Sequence, residues 1–177
     1  MTKTAYFAGG CFWCITPIFM ETEGVITVTS GYCGGDEADP TYEEVKTQRT
    51  HHRETVRIKY DPYRVSYDAL LTVFLESVDP FDEGGQFIDR GSSYTLAVFY
   101  EDEAEREAAE LKLRKLAEEA GMSPAVSVEL YKTFWPAEEF HQDYYLKNPE
   151  AFEKELLSSG RLGQNCPLRF KRRKGNR

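Results

Sequence analysis

A segment near the start of the chain carries two cysteines at a spacing that suits thiol chemistry. In Gly9-Gly10-Cys11-Phe12-Trp13-Cys14, Cys11 follows an apolar, strand-like run and precedes a run that can form a helix. This order places Cys11 at or just before the first helical turn, where unpaired N–H groups and a partial positive charge favour a thiolate. We therefore predict that Cys11 is a nucleophile with a lowered pKa. The aromatic residues Phe12 and Trp13 predict an apolar wall beside its sulfur.

Cys14 forms a C-x-x-C pattern with Cys11, and the pattern has two interpretations. Residues three apart on a helix share a face, so the two thiols could form a redox couple of the thioredoxin type. A helix cysteine that faces the core fits the local sequence equally well, because free cysteines are commonly buried. From these residues alone both interpretations stay open.

The other two cysteines lie further along the chain. Cys166 follows a polar, glycine-containing stretch, residues 158–165, which we expect to be flexible. We predict that Cys166 is a resolving cysteine, since a sulfenic acid on one cysteine condenses with a second thiol. The alternative is an incidental surface thiol. We expect Cys33 to be structural or incidental, with a redox role left open.

Five further polar residues have side chains that suit acid–base or hydrogen-bonding roles. Glu54 begins a strand and could be a general acid with a raised pKa in an apolar pocket, although alone it also fits a solvent-facing strand end. Tyr42, Asp89 and Tyr94 lie beside turn-rich segments and could bind a polarised oxygen, or could serve packing and capping. For His141 we favour a role in organising a hydrogen-bond network over a catalytic one.

The composition fits one globular domain that does not bind nucleic acid. The 177 residues are 41% hydrophobic and carry a formal net charge of −8, whereas phosphate binding needs a basic face. No apolar run has the length of a membrane span, and no apolar segment follows a basic start as in a secretory signal. We therefore expect a cytoplasmic monomer that does not bind membranes, in a compartment that keeps cysteines reduced.

Strands and helices alternate along the chain without repeats. The hydrophobic patterns and caps predict strands at 4–8, 25–32, 54–60, 94–100 and 126–131, and helices at 12–22, 41–47, 66–78, 103–120, 136–145 and 150–157. The early order β-α-β-β-α-β predicts an α+β sandwich with a mixed or antiparallel sheet, because no long helix separates the second and third strands. We expect one catalytic domain over residues 1–177, with 158–177 as a flexible C-terminal tail.

Several segments resemble, in the same order, those of the peptide methionine sulfoxide reductase A family. Gly9-Gly10-Cys11-Phe12-Trp13 looks like the family signature. The further matching segments, within residues 5–150, are Thr29-Ser30-Gly31-Tyr32, Pro40-Thr41-Tyr42-Glu43-Glu44-Val45, Tyr60-Asp61-Pro62, Asp79-Pro80, Gly84-Gly85-Gln86-Phe87, Asp89-Arg90-Gly91-Ser92 with Tyr94, and Pro136-Ala137-Glu138-Glu139 with His141-Gln142.

The resemblance implies a ferredoxin-like α+β core and reduction of the S epimer of methionine sulfoxide, free or in proteins. It implies that Cys11 attacks the sulfoxide sulfur and that Glu54 protonates the oxygen. The resulting sulfenic acid on Cys11 would then form a disulfide with Cys166. Thioredoxin or another dithiol would reduce that disulfide, so no bound metal or organic cofactor is needed.

The resemblance also implies how the substrate is held. Tyr42, Asp89 and Tyr94 correspond to the groups that bind and polarise the sulfoxide oxygen. Phe12 and Trp13 correspond to the wall that holds the S-methyl group. An apolar slot for the methyl group opposite donors for the oxygen would select one configuration at sulfur.

Two features depart from the family pattern. Arg53 stands directly before Glu54, and an inward Arg53 would lower the pKa of Glu54, whereas the strand alternation predicts that Arg53 points outward. Cys166 is the single cysteine of the tail, so a relay between two tail cysteines is not available. Cys14 is the competing resolving cysteine, although residues three apart within a helix need local distortion to form a disulfide.

Two other functions fit parts of the same sequence. A general thiol–disulfide oxidoreductase would use Cys11 and Cys14 and would ignore sulfoxides. A zinc-stabilised binding module would use the cysteines as ligands, but a structural zinc site usually needs two ligand pairs and the chain has a single C-x-x-C.

Overall fold

The computed structural model describes residues 1–161, and its elements follow the predicted alternation closely. The strands are β1 (Lys3–Ala8), β2 (Val25–Cys33), β3 (Arg53–Tyr60), β4 (Gly85–Gln86), β5 (Asp89–Arg90), β6 (Leu96–Tyr100), β7 (Val126–Leu130) and β8 (Phe134–Pro136). The helices are α1 (Phe12–Met20), α2 (Tyr42–Lys46), α3 (Tyr67–Glu76), α4 (Glu103–Ala120), α5 (Tyr144–Lys147) and α6 (Pro149–Ser159). Ser92–Tyr94 and Glu139–His141 form short 3-10 turns.

The main sheet has the ferredoxin-like arrangement. Its strand order is β7-β6-β1-β3-β2-β8, and the inner four strands, joined as β1-α1-β2-β3-α3-β6, pair in antiparallel fashion. At one edge β7 pairs in parallel with β6, and the connection runs through α4, as a parallel pair requires. At the other edge β8 pairs with β2. The prediction of an α+β sandwich with a ferredoxin-like core and a mixed sheet is confirmed.

Apolar side chains on one face of the sheet pack against the helices. Phe7 of β1 stacks on Phe74 of α3 with ring centroids 5.0 Å apart, and Phe152 and Leu156 of α6 are buried in the same cluster. The predicted alternation of β3 is confirmed, since Val56, Ile58 and Tyr60 are buried while Lys59 is exposed. This packing fixes α1 and α6 relative to the strands that carry the polar candidates.

Local capping signals locate several helix ends. Thr41 and Glu44 form the predicted capping box at the start of α2, with the Thr41 hydroxyl accepting from the Glu44 N–H. At the start of α3, the Ser66 hydroxyl accepts from the Ala69 N–H. Gly121 ends α4 with a φ of 69°, a conformation that glycine adopts without strain.

The predicted helix over residues 136–145 is wrong. Strand β8, a 3-10 turn and the short helix α5 occupy this region instead. The Gln142 side chain holds the segment to β2, because its Oε1 accepts from the Ser30 N–H and its Nε2 donates to the Ser30 carbonyl, each at 2.9 Å. These hydrogen bonds between distant residues outweigh the local helix propensity, which is a weak preference.

Candidate active site

Cys11 lies at the N-terminus of α1, as predicted. It is the N-cap residue, with a φ of −56° and a ψ of 118°, so its own backbone is not helical. The Cys14 N–H donates to the Cys11 carbonyl at 3.1 Å, which closes the first turn. Gly10 precedes it with a φ of 80°, and a Cβ there would lie 2.7 Å from the Gln86 Cβ. The backbone can therefore take this path only with glycine at position 10.

The predicted lowering of the Cys11 pKa is wrong for the free enzyme. The side-chain hydrogen bond with Cys14 and burial of the thiol raise the pKa of Cys11 well above its usual value. The nearby acidic groups of Glu54 and Asp89 raise it further. The helix N-terminus is present, but a buried sulfur surrounded by acids and a second thiol keeps its proton.

Glu54 is the buried acid of the site. Burial raises the pKa of Glu54 to about 8, and a hydrogen bond from the Phe12 N–H to its Oε2, at 3.0 Å, works in the opposite direction. Its neighbour Arg53 lies on the other face of β3, where Nη1 is 3.0 Å from the Glu129 Oε1. The outward direction predicted for Arg53 is thus observed. A carboxyl group that is protonated at neutral pH can donate a proton.

The structure brings the three predicted oxygen-binding residues close to Cys11 and Glu54. Burial raises the pKa of both Tyr42 and Tyr94, and the nearby acidic groups Glu54 and Cys11 add to the effect on each. Burial also raises the pKa of Asp89. Both phenols therefore keep their protons at neutral pH and can donate hydrogen bonds to an oxygen bound beside Cys11.

The predicted aromatic wall is held by a network centred on His141. The Trp13 ring stacks on Tyr144 with centroids 3.9 Å apart, and its Nε1 donates to the His141 Nδ1 at 3.1 Å. Burial lowers the pKa of His141 despite the Glu138 Oε2 at 3.2 Å from its Nε2, so the ring is neutral and Nδ1 is free to accept. Phe12 is buried behind Trp13. His141 thus organises the wall, as expected.

Three residues of the site have no role that the sequence predicts. Glu138 accepts from the Tyr42 N–H at 3.0 Å and from the Tyr32 hydroxyl at 3.3 Å. Glu155 of α6 adds to the raised pKa of Glu54, and burial raises the pKa of Glu155 itself, with Arg161 opposing that effect. Arg161 is 1% exposed although it falls in the stretch predicted to be flexible. The sequence around Gly160 carries no local signal for this burial, because it depends on how Phe152 and Leu156 of α6 pack in the core.

Of the remaining cysteines, Cys33 lies away from the site, and Cys166 lies outside the described residues. Cys33 is buried on the opposite face of the sheet with Tyr6 and Phe134, and burial raises its pKa to about 12. This environment suits the structural role expected for it. Cys166 lies outside residues 1–161, so its role as the resolving cysteine stays a prediction.

Within residues 1–161 no group of three or more His, Cys, Asp or Glu side chains could hold a metal ion. The same part of the chain has no helix that is both long and apolar enough to cross a membrane. The described residues therefore contain no ligand set of the kind that the zinc-stabilised alternative needs.

Comparison with known proteins agrees with this site. The model of the family described as peptide methionine sulfoxide reductase matches residues 3–165. The chain belongs to the peptide methionine sulfoxide reductase family. It is 45% identical over 163 residues to the Bacillus licheniformis protein named peptide methionine sulfoxide reductase MsrA, covering 91% of this chain and 90% of that one. The reductase family assignment makes this chain an oxidoreductase that reduces methionine sulfoxide.

Solved structures of the reductase family share the fold. Methionine sulfoxide reductase A of Corynebacterium diphtheriae is similar with a TM-score of 0.75 and 33% identity, over 84% of this chain and 76% of that one. Mxr1 of Saccharomyces cerevisiae in reduced form has a TM-score of 0.78 and 27% identity, over 84% of this chain and 87% of that one. Mxr1 has also been solved in complex with Trx2.

Proposed function

We propose that this reductase acts on the S epimer of methionine sulfoxide through Cys11 and Glu54. The Cys11 sulfur attacks the sulfoxide sulfur while Glu54 gives its proton to the oxygen, and the proton that the Cys11 thiol loses returns to Glu54. The oxygen then passes to Cys11, so that a thiol and a sulfoxide become a sulfenic acid and a thioether. The observation that carries this proposal is the meeting of a protonated carboxyl group and a thiol at one helix N-terminus, joined through the Phe12 N–H.

The surrounding residues support a preference for one epimer. Tyr42, Asp89 and Tyr94 lie on the side of Glu54 and would hold the sulfoxide oxygen. Trp13 and Phe12 supply the apolar wall for the methyl group. With the sulfur facing Cys11, the fixed positions of wall and donors leave one configuration at sulfur that satisfies both.

The sulfenic acid needs a second thiol, and the described contacts favour Cys14. Attack of that thiol on the Cys11 sulfur forms a disulfide, and the sulfenic oxygen leaves as water. The Cys14 side chain lies close enough to the Cys11 thiol to be the largest cause of its raised pKa. The geometric objection to this pair weakens because the Cys11 backbone is not helical. We therefore place Cys14 first, and Cys166, preferred from the sequence, remains the competing prediction.

A dithiol must supply two electrons to reopen the disulfide. We propose a thioredoxin as this reductant, because Mxr1 of Saccharomyces cerevisiae has been solved in complex with Trx2. A cytoplasmic location fits this chemistry, since free thiols at Cys11, Cys14 and Cys33 persist in a reducing compartment.

An assay with the two epimers kept separate tests the proposal. We expect turnover of methionine S-sulfoxide with thioredoxin as reductant and little or none of the R epimer. Cys11→Ser should abolish activity, while Cys33→Ala should keep it because Cys33 lies on the other face of the sheet. Equal rates for the two epimers, or activity that survives in Cys11→Ser, would contradict the proposal. Reduction of insulin disulfides without sulfoxide turnover would favour the general disulfide oxidoreductase.

A further inference from the structure

Arg161 is a buried cation at the active site that the proposed mechanism does not use. Its side chain is 1% exposed. The guanidinium carbon lies 4.6 Å from the centroid of the Phe87 ring, and Nη2 lies 3.9 Å from the Asp89 Oδ2. A Cβ on Gly10 would lie 3.0 Å from the same Nη2, so the guanidinium is packed directly against the residue before Cys11.

Helix α6 carries Arg161 into this place. Phe152 and Leu156 bury one side of α6 in the core. Gly160 then turns the chain with a φ of 76°, and the Arg161 N–H donates to the Ser159 Oγ at 3.3 Å. The position of Arg161 thus follows from the packing of α6, which places the guanidinium group beside Gly10 and Asp89.

Two donors of Arg161 have no hydrogen-bond partner among residues 1–161. They are Nε and Nη2, which form one edge of the guanidinium group. That edge pairs with both oxygens of a carboxylate when such a group is available. The Asp89 Oδ2 lies 3.9 Å from Nη2, within ion-pair range but beyond hydrogen-bond distance, and the charge of Arg161 opposes the burial that raises the pKa of Asp89.

The segment that carries Asp89 is held at two places. Gln86 is fully buried, and its side chain bonds to the backbone N–H and carbonyl of Asp79, each at 2.8 Å. Phe87 follows with a φ of 55°, and the Arg161 guanidinium lies over its ring. Contact with a cation over an aromatic face is favourable and directional. Arg161 therefore contacts both Phe87 and Asp89 as well as Gly10.

We propose that Arg161 is a positioning residue that holds Asp89 and Phe87 in place beside Cys11. Its role is to present the Asp89 side chain to the bound sulfoxide, so it acts through Asp89 and does not touch the reacting atoms. The inference rests on the proposed function, in which Asp89 is one of the residues that bind substrate.

A double-mutant cycle tests whether Arg161 acts through Asp89. Arg161→Ala, Asp89→Asn and the double variant are assayed with a peptide that contains methionine S-sulfoxide. We expect Arg161→Ala to raise KM by about tenfold with kcat changed by less than about twofold, because substrate positioning is lost while Cys11 and Glu54 remain. Arg161→Lys should recover part of the affinity. Lys154→Ala removes an exposed cation from α6, the helix that precedes Arg161, and should behave as the wild type.

The double variant decides the question. If Arg161 acts through Asp89, the double variant has the KM of Asp89→Asn alone. The inference is overturned if the effects of the two single substitutions on KM multiply in the double variant. It is also overturned if Arg161→Ala keeps the wild-type KM or loses activity only in kcat. A wild-type KM in Asp89→Asn would remove the substrate-binding role of Asp89 itself, and would thereby separate failure of the proposed function from failure of the inference. Thermal unfolding of each variant shows whether the fold is kept.

Discussion

At the scale of single residues, the chemistry depends on a carboxyl group that keeps its proton at neutral pH. Glu54 is buried, and this burial raises its pKa. The hydrogen bond from the Phe12 N–H lowers the pKa by less, so the carboxyl group stays protonated. Cys11 keeps its proton for similar reasons. In the free enzyme Cys11 and Glu54 therefore each hold a proton, and the proton of Glu54 can go directly to the sulfoxide oxygen.

The protonated state of Glu54 predicts a pH dependence of the reaction. Because the acid is active only when protonated and its pKa is about 8, kcat/KM should fall as the pH rises above about 8. Glu54→Gln should lose about 10²- to 10⁴-fold in kcat, since an amide cannot give up a proton. Initial rates between pH 6 and pH 10 check both expectations, in steps of about 0.5.

The matched control for this prediction is Glu153→Gln. Glu153 is an exposed acid on α6, and its replacement should leave both kcat and the pH profile unchanged. A wild-type rate in Glu54→Gln would show that Glu54 is not the proton donor.

At the scale of elements, the N-terminus of α1 sets the position of Cys11. Gly10 combines a positive φ with close contacts to Gln86 and Arg161, so two separate demands exclude a side chain there. Gly121 also has a positive φ, but nothing lies within 4 Å of a Cβ placed on it. A comparison of substitutions at Gly10 and Gly121 therefore distinguishes the effect of backbone strain from the effect of crowding.

Replacing each of these glycines with alanine should give different results. Gly121→Ala should lower the free energy of unfolding by about 1 to 2 kcal/mol, from backbone strain alone. Gly10→Ala should lower it by about 2 to 4 kcal/mol and should also reduce kcat/KM, because the added methyl group pushes on Gln86 and Arg161. Chemical denaturation and steady-state assays measure both effects. Equal costs and an unchanged kcat/KM in Gly10→Ala would show that the space beside Gly10 does not matter.

The same helix end determines which thiol resolves the sulfenic acid. After one turnover without reductant, peptide mass mapping should find a disulfide between Cys11 and Cys14, since Cys14 is the thiol that acts on Cys11 among the described residues. Cys14→Ser should then slow disulfide formation more than Cys166→Ser does. A Cys11–Cys166 disulfide in the wild type, unchanged by Cys14→Ser, would restore the assignment made from the sequence.

At the scale of the whole molecule, the buried acid links stability to pH. The pKa of Glu54 is raised in the folded state, so its protonated form favours folding below the unfolded pKa. This contribution is lost as the pH rises from the unfolded value through about 8. The free energy of unfolding of the wild type should therefore fall more steeply between pH 5 and pH 9 than that of Glu54→Gln, by roughly a few kcal/mol. Parallel curves for the two proteins would contradict this expectation.

Local sequence signals predict most of the fold, because they report short-range physics. The capping box at Thr41, the alternation of β3 and the glycine that ends α4 each appear in the structure where the sequence places them. The segment around Gln142 does not follow its local preference, since its side chain bonds to Ser30 across 112 positions. Such long-range contacts leave no trace in local propensity.

The candidate site shows the same division. Residues that match the family motifs, such as Cys11 and Glu54, are identified from their own segments. Arg161 is missed because its burial depends on how α6 packs. The raised pKa of Cys11 is missed because it comes mainly from the Cys14 side chain and from burial, which the packing of the folded chain creates, with smaller effects from Glu54 and Asp89.

The most direct test of the central claim is to trap the oxidised form of Cys11. In the Cys14→Ser/Cys166→Ser variant no second thiol is expected to reach Cys11, so its sulfenic acid should accumulate and react with dimedone. We predict that one equivalent of methionine S-sulfoxide gives the dimedone adduct on Cys11 together with free methionine, and that the R epimer gives neither. Release of methionine from the S epimer with no adduct on Cys11, or with the adduct on Cys33, would contradict the account.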